Sequence, residues 1–370
     1  MLVLLQGVLI LFGVLAVYFF LGHLWRRVYS LEPGYDQIHF AETSDGWKVA
    51  LHRYSPKGGT ARRYPAILCH GLGANRFNFD LGEGASLARF LQRQGYDVWV
   101  LELRGRGNSS RPRLCNRYRG TWHFDEYVRR DLPAAIALVK RLSGAGKVHW
   151  IGHSMGGIVL YAYLQGEGAH EIASGVAIGS PGVFRPLPGF SIMPAVMRVL
   201  GLLPRLHFEF LGAGIAPLLA TGKAPFSRFF VNPENVEGSV LGRALCYLVS
   251  DIHSGELLQF ADWMRHGEFR TFDRVYSYQE HLNMIRTPLF LMAGSMDFMA
   301  GPQSIAFVYD RLSSPLKRFR VCGRAYGDRY DYGHGDLLIG KACPQEVFPA
   351  LVEWLEDVDK ESHETEKRLG

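Results

Sequence analysis

Cysteine is scarce in this chain, and its positions do not suggest a metal site or a disulfide scaffold. Five cysteines are scattered through 370 residues, at Cys69, Cys115, Cys246, Cys322 and Cys343. None forms a CxxC pair or a Cys/His group with zinc-ligand spacing. Reduced thiols in a cytoplasm-facing domain fit this pattern best, and a single disulfide bridge is the alternative.

The chain also lacks a strong excess of charge of either sign. The 41 Lys and Arg residues exceed the 35 Asp and Glu residues by only six, so nucleic-acid binding is not predicted. Arginines do crowd residues 104–119. A solvated loop is the preferred interpretation of this basic segment, and a surface that contacts anionic lipid head groups is the alternative. Since no phosphate-binding loop is visible either, we expect chemistry without a cofactor.

Charged side chains are absent from residues 1–24, where Leu, Val, Ile and Phe dominate. At the helical rise per residue, this run is long enough to cross a hydrocarbon core. Tyr18, Trp25 and the pair Arg26-Arg27 are typical of a membrane interface. Residues 1–27 are therefore predicted to form a single-pass anchor, with residues 1–25 contacting the membrane and the remainder of the chain in the cytoplasm. The alternative is a cleaved signal peptide and a secreted or periplasmic protein, but no basic segment precedes the apolar run.

Beyond residue 36, short apolar runs alternate with segments of helical periodicity. Two alternating runs on either side of Ser44-Asp45-Gly46 predict a hairpin. Buried strands are then predicted at 66–69, 97–103, 148–151, 175–179, 288–293 and 317–321, and helices at 85–94, 124–142 and 344–356. This order predicts an α/β fold with a doubly wound, mostly parallel sheet. Its functional loops should lie at the carboxyl ends of the strands.

The alternation stops for about a hundred residues, where a helical and aromatic pattern is broken by Pro and Gly. We expect a core in two parts, residues 36–184 and 287–357, with a helical lid inserted at 185–286. Apolar residues of such a lid could cover the site and accept an acyl chain, although a plain helical subdomain fits equally well. Residues 358–370 are predicted to be a charged, disordered tail.

The motif with the most chemical content is Gly152-His153-Ser154-Met155-Gly156, between a β-branched run and a helix-compatible run. This Gly-x-Ser-x-Gly pattern is typical of a sharp strand–turn–helix that lifts a nucleophilic serine clear of a parallel sheet. A serine hydroxyl needs a base to take its proton and an acid to orient that base. Asp297 follows a buried strand, and His334 lies in a glycine-flanked loop after the next strand. Both come in the order Ser…Asp…His. The competing acids lie in the loop of His334 itself and rank lower: Asp328, Asp331 and Asp336.

An acyl-transfer intermediate also needs donors aimed at its oxyanion. The backbone N–H groups of Met155 and Leu72 are the predicted donors, because each follows the end of a predicted strand. His70 is interpreted as a packing and hydrogen-bonding residue. Glu102 and Arg104 could form an ion pair with a structural role. The motif and its partners together predict a serine hydrolase that works through an acyl-enzyme.

Several blocks of the sequence resemble the acid lipase family, of gastric and lysosomal lipase type, within the α/β-hydrolase superfamily. The likeness runs from about Tyr64 to Glu356. It is carried by Gly95–Trp99 with Arg104-Gly105, Phe124–Tyr127 with Asp131–Ala134, Gly152–Gly156, Gly267–Arg270, Gly294 with Asp297, and Tyr332–Asp336.

That resemblance implies a role for each site residue. Ser154, Asp297 and His334 would be nucleophile, acid and base, and Leu72 and Met155 would supply the oxyanion donors. It also implies a lipid or other hydrophobic ester as substrate. Two alternatives stay open: an acyltransferase that uses the same acyl-enzyme, and a non-catalytic binding protein of this fold. The second usually lacks a triad residue, and all three are present here.

Overall fold

The computed structural model describes residues 2–57, 61–112, 121–166, 168–185, 191–220 and 225–369. Ten strands occur in this part of the chain: β1 (Gln37–Glu42), β2 (Lys48–Tyr54), β3 (Ala66–Cys69), β4 (Val98–Glu102), β5 (Val148–His153), β6 (Ile172–Ile178), β7 (Arg205–Leu206), β8 (Ile252–His253), β9 (Leu289–Gly294) and β10 (Lys317–Cys322). Eight of them form one sheet in the order β1-β2-β4-β3-β5-β6-β9-β10, and β7 pairs with β8.

The large sheet is mostly parallel, as the sequence predicted. β1 and β2 form the predicted antiparallel hairpin, and β2 also runs antiparallel to β4. All other neighbours in the large sheet are parallel. In the register Cys69 lies beside Gly152, and Gly152 lies beside Ala177. The carboxyl ends of β3, β5 and β6 therefore reach the same edge, which is where a parallel sheet usually carries its site.

The helices of the described residues are α1 (Leu2–Val28), α2 (Leu87–Arg93), α3 (Phe124–Glu126), α4 (Leu132–Ser143), α5 (Met155–Tyr163), α6 (Gly168–Glu171), α7 (Met193–Leu200), α8 (Phe208–Ala220), α9 (Gly238–Arg243), α10 (Ser254–His266), α11 (Pro302–Arg311), α12 (Asp336–Ile339) and α13 (Cys343–Leu369). A π-helical turn joins α3 to α4, so the helix predicted over 124–142 is present with one irregularity. Gly144, with φ 74°, ends α4 in the left-handed conformation that glycine adopts most easily.

Both faces of the sheet are buried along β3, β4, β5, β6 and β9, because helices cover each face. Side chains on β3 and β5 alternate between two apolar clusters. Ile67 and Trp150 belong to the cluster under α4, α5 and α11. Leu68 and Ile151 belong to the cluster under α2 and α13. Continuous apolar strands of this kind are typical of parallel sheets with helices on both sides.

In the residues described, the chain between β6 and β9 carries α7–α10 and the small sheet, and this segment is here called the insertion. The amino-terminal helix α1 docks on this insertion. Tyr18 Oη donates to the carbonyl of Leu211, and Arg26 Nε donates to the carbonyl of Cys246. In return, Tyr247 Oη donates to the carbonyl of Arg26. The first helix is therefore part of the folded domain.

Within the residues described, no helix has both the length and the apolar character needed to cross a bilayer. The single-pass anchor predicted for residues 1–27 is accordingly not supported.

The carboxyl-terminal residues are helical, contrary to expectation. Residues 358–370 were predicted to be disordered, but α13 continues to Leu369. Glu and Lys favour the helix, and the buried Val358 packs this stretch onto the core. In the basic segment, Arg104 and Arg106 are buried, so at these two positions neither the preferred solvated loop nor the lipid-facing surface holds. Residues 113–119, with Cys115, lie outside the described residues. The other four cysteines are free and buried.

Candidate active site

Ser154 occupies a strained turn between β5 and α5. Its φ of 53° and ψ of −118° are unfavourable for a residue with a Cβ. The neighbouring glycines make room for this turn. A Cβ at Gly156 would lie 2.0 Å from the carbonyl oxygen of Cys69, and a Cβ at Gly152 would lie 2.3 Å from the Gly156 backbone. The Gly-x-Ser-x-Gly spacing is therefore required by close backbone packing around Ser154.

Asp297 and His334 form a buried acid–base pair at the same edge of the sheet. His334 Nδ1 donates to Asp297 Oδ2 over 2.8 Å. The other carboxylate oxygen of Asp297 accepts the N–H groups of Met299 and Ala300, each at 2.8 Å. This carboxylate fixes the Nδ1–H tautomer of His334, so that Nε2 is left as a proton acceptor. Asp297, rather than the acids in the loop of His334, is the partner of the imidazole.

The acid–base pair and the serine turn adjoin at Gly179, which directly follows β6. The N–H of Ser154 donates to the carbonyl of Ile178 over 2.8 Å. A Cβ at Gly179 would lie 3.3 Å from both Asp297 Oδ2 and His334 Nδ1. Among the described residues no hydrogen bond joins the Ser154 hydroxyl to His334; such contacts are often long in ligand-free sites and tighten around substrate.

Burial and the carboxylate act in opposite directions on His334. Burial lowers the pKa of the imidazole, but the charge and hydrogen bond of Asp297 outweigh burial, and the net pKa is raised from its usual 6.5. Burial likewise raises the pKa of Asp297, but His334 and two backbone N–H groups outweigh it and leave that pKa below its usual value. Asp297 therefore remains a carboxylate under conditions in which His334 exchanges its proton.

The raised pKa of His334 predicts where activity is lost on the acidic side. A protonated imidazole cannot accept the serine proton, and a raised pKa means that protonation starts at higher pH. We expect kcat/KM for a short nitrophenyl ester to fall as pH decreases through a midpoint above 6.5. The inactivation rate by a fluorophosphonate should follow the same midpoint. Full activity well below pH 6.5 would contradict this assignment of the base.

The loop after β3 packs directly against the serine turn. Gly71 donates its N–H to Asn78 Oδ1 over 3.1 Å, and a Cβ at Gly71 would lie 3.1 Å from the Cβ of Ser154. Among the described hydrogen bonds, none uses the N–H of Leu72 or of Met155. Two backbone donors on either side of the serine are thus free to bind an oxygen.

His70 directly follows β3, and its ring forms a hydrogen bond through each of its two nitrogens. His70 accepts the N–H of Leu103 at Nε2 over 3.2 Å and donates from Nδ1 to the carbonyl of Gly71 over 2.8 Å. Burial lowers the pKa of His70 to about 4, so the ring is neutral and structural, as the sequence suggested. Glu102 and Arg104 do not pair with each other, but each has a buried partner elsewhere.

The partners of Glu102 and Arg104 lie on different elements. Glu102 accepts from His52 at 3.0 Å, whereas Arg104 binds Asp131 at 2.6 Å and Asp45 at 2.8 Å. Residues two apart in a strand share a face, but β4 ends at Glu102, so Arg104 lies beyond the strand and its side chain is not held on the face of Glu102.

Sequence reasoning also missed the use made of Asp336. One of its oxygens accepts the N–H groups of Asn232 and Gly333, and the other accepts the side-chain amide of Asn235. This carboxylate therefore fastens the loop of His334 to the insertion. Burial raises its pKa to about 7, but its three N–H donors favour the ionised form. The only sequence signal was its position two residues after His334.

The chain matches the family described as alpha/beta hydrolase fold over residues 64–326. Gastric triacylglycerol lipase of Rattus norvegicus is 24% identical over 351 residues, which cover 84% of this chain and 86% of that protein. An esterase from Exiguobacterium antarcticum has a TM-score of 0.57 at 20% identity and covers 86% of this chain and 98% of its own. A monoacylglycerol lipase of Paleococcus ferrophilus also has a TM-score of 0.57 at 20% identity, with 83% and 99% covered.

The solved structures show the fold, and the gastric lipase supports the predicted carboxylic ester hydrolase. The resemblance to acid lipases is confirmed. This chain belongs to the α/β-hydrolase fold family.

Proposed function

We propose that the protein is a serine esterase or lipase that cleaves carboxylic esters of lipid character through an acyl-enzyme on Ser154. The observation that carries the proposal is the buried Asp297–His334 hydrogen bond beside the strained Ser154 turn. A serine with an oriented imidazole and free backbone donors is equipped for acyl transfer.

In this mechanism the Ser154 oxygen attacks the ester carbonyl carbon while His334 Nε2 takes the hydroxyl proton. The developing oxyanion accepts from the N–H groups of Leu72 and Met155. Collapse of the intermediate breaks the bond to the alcohol, which leaves with the proton from His334. A water molecule then gives a proton to His334 and attacks the acyl group, which releases the carboxylic acid and restores the Ser154 hydroxyl.

The apolar surroundings of the site favour a lipid ester. Met296, Phe298 and Met299 flank Asp297 and are each more than a third exposed. Phe298 also meets Phe229 of the insertion, with ring centroids 5.9 Å apart. Further large apolar side chains are exposed on the insertion, at Ile192, Val199, Leu202 and Leu203. Apolar surface beside such a site would contact an acyl chain, and the insertion would act as the lid.

The substrate class is tested with nitrophenyl esters of increasing acyl length and a fluorophosphonate probe. Because each buried methylene contributes about 0.8 kcal/mol, kcat/KM should rise at least about tenfold from acetate to octanoate. Mass spectrometry of the labelled protein should place the probe on Ser154. Equal rates for acetate and octanoate would contradict the lipid substrate, and a probe attached elsewhere would contradict the nucleophile.

We further propose that α1 contacts a lipid surface. Its described apolar side chains are well exposed, with Phe12 at 67% and Phe20 at 66%. The exposed Arg27 follows in its last turn, where it can meet anionic head groups. The hydrogen bonds from α1 to the insertion would then hold the site close to that surface.

Vesicle flotation tests this contact. The full chain should float with vesicles that contain anionic phospholipid, and the double variant Phe12→Asp/Phe20→Asp should bind at least about tenfold more weakly, since each buried charge opposes insertion. Val275→Asp, which changes an even more exposed apolar residue in the turn at 271–276, is the control and should float like the unaltered protein. Equal flotation of all three proteins would exclude α1 as the contact.

A further inference from the structure

His153, the residue before the nucleophile, lies between the two loops that serve it. Its Nδ1 is 3.0 Å from Asn78 Oδ1, and its Nε2 is 3.1 Å from the carbonyl oxygen of His334. Both His153 and Asn78 are buried. The His153 ring therefore contacts Asn78, which holds the Gly71–Leu72 loop (the oxyanion loop), on one side. On the other side it contacts the backbone of His334, whose loop is called the base loop.

The chemistry of these contacts fixes the direction of both hydrogen bonds. Asn78 Oδ1 also accepts the N–H of Gly71, which identifies that atom as the amide oxygen, since an amide nitrogen could not accept. The other partner is a carbonyl oxygen, which only accepts. Each ring nitrogen of His153 therefore faces an acceptor, and each contact requires an N–H on His153.

We infer that His153 is a positioning residue that braces the oxyanion loop through Asn78 in one neutral tautomer and the base loop through the carbonyl of His334 in the other. The inference rests on the proposed function, because it assigns a task within that catalytic site. The brace keeps the free N–H of Leu72 and the imidazole of His334 at fixed distances from Ser154. A displacement of about 1 Å in such a site can lower a rate about 100-fold.

The number of protons on the His153 ring limits which of these two hydrogen bonds it can donate. Burial lowers the pKa of His153 most, and the His334 ring, whose centroid lies 4.8 Å from that of His153, lowers it further. Asp297 opposes both effects, and the resulting pKa of His153 is about 3. The ring is therefore neutral under ordinary conditions and carries one N–H. The Nδ1–H tautomer donates to Asn78 and the Nε2–H tautomer donates to the carbonyl of His334, so the ring donates to one loop at a time and only packs against the other. The two contacts are separable, since each depends on one ring nitrogen.

An Asn or Gln side chain at position 153 can replace one donor nitrogen of the imidazole at a time. In His153→Asn the amide nitrogen lies near the Nδ1 position and can donate to Asn78, whereas in His153→Gln it lies near Nε2 and can donate to the carbonyl of His334. His153→Leu removes both contacts. Asn78→Ala removes the link to Gly71 without changing the serine turn.

The variants should separate in kcat and in the pH profile. His153→Leu should lower kcat about 10- to 100-fold, with a smaller change in KM. His153→Asn should shift the acidic midpoint of kcat/KM toward 6.5, because a looser base loop weakens the Asp297–His334 contact. His153→Gln and Asn78→Ala should lower kcat without moving that midpoint. Each kcat is divided by the fraction of folded protein, which the amplitude of the thermal unfolding transition measures.

His149→Asn is the matched control, because His149 is a buried histidine at the opposite end of the same strand, bonded to Ser174 and Asp359. It should reduce stability without changing kcat or the midpoint. Wild-type protein that neither hydrolyses esters nor labels at Ser154 would overturn the proposed function. With active wild-type protein, kcat within twofold of wild type and an unmoved midpoint in His153→Leu, or in both amide variants if the Leu variant does not fold, would overturn the brace alone.

Discussion

Ser154→Ala is expected to lower kcat for ester hydrolysis by a factor on the order of 10⁶, as loss of a serine nucleophile does when its base remains in place. The hydroxyl forms the covalent bond, and no other described hydroxyl shares its position on the turn between β5 and α5. The fluorophosphonate should no longer label the protein. The unfolding temperature should change little, because alanine keeps the Cβ that strains this turn.

Ser174→Ala is the control for this variant, since Ser174 is a buried serine on the neighbouring strand, bonded to His149. It should retain labelling and activity. Persistent labelling or hydrolysis by Ser154→Ala would assign the nucleophile to another residue and so contradict the mechanism. A complementary variant, Ser154→Gly, should raise the unfolding free energy by about 1 kcal/mol, because glycine tolerates the positive φ.

Glu256→Ala is expected to cost about 3–5 kcal/mol of unfolding free energy, the usual penalty for leaving one buried charge without its partner. Arg106 Nη2 donates to Glu256 Oε1 over 2.6 Å, and neither side chain is exposed. Tyr127 Oη donates to the same oxygen, and the N–H of His253 donates to the other. Arg106 follows β4 and Glu256 lies on α10, so this network joins the sheet to the insertion.

The pH dependence of this network has a definite sign. Burial opposes the charge on Glu256, but Arg106 and the other donors outweigh burial and lower the pKa to about 2. A carboxylate with a lowered pKa stabilises the fold above its unfolded pKa, and that contribution is lost as pH falls toward the folded value. The stability difference between wild type and Glu256→Ala should therefore shrink between pH 4.5 and pH 2.

Urea unfolding followed by circular dichroism measures both effects. Asp357→Asn is the matched control: it breaks the ion pair with Arg318 at 3.0 Å, whose side chains are 36% and 39% exposed. That pair should contribute less than about 1 kcal/mol. The double variant Arg106→Met/Glu256→Leu should recover much of the loss, because no unpaired charge remains. Equal losses for Glu256→Ala and Asp357→Asn would show that burial of the Arg106 network carries no special weight.

The sequence by itself determined the elements that depend on neighbouring residues. The apolar runs located the strands of the large sheet, and the helical periodicity of apolar residues located the helices that flank it, because burial on a strand or helix repeats at a fixed spacing. The glycines at 152 and 156 marked the tight turn, since a Cβ at Gly156 would overlap the Cys69 backbone and one at Gly152 would overlap the Gly156 backbone. The order Ser154, Asp297, His334 placed each residue after a strand, and parallel strands bring their carboxyl ends to one edge.

Only the tertiary structure decided which buried polar groups became partners. Arg104 met Asp131 and Asp45 rather than Glu102, and no local pattern could show which loops would converge there. The docking of α1 on the insertion likewise depends on contacts between distant parts of the chain. The bridge of His153 between Asn78 and His334 joins residues separated by 75 and 181 positions. Hydrogen bonds in a buried site are set by three-dimensional proximity, which local periodicity does not encode.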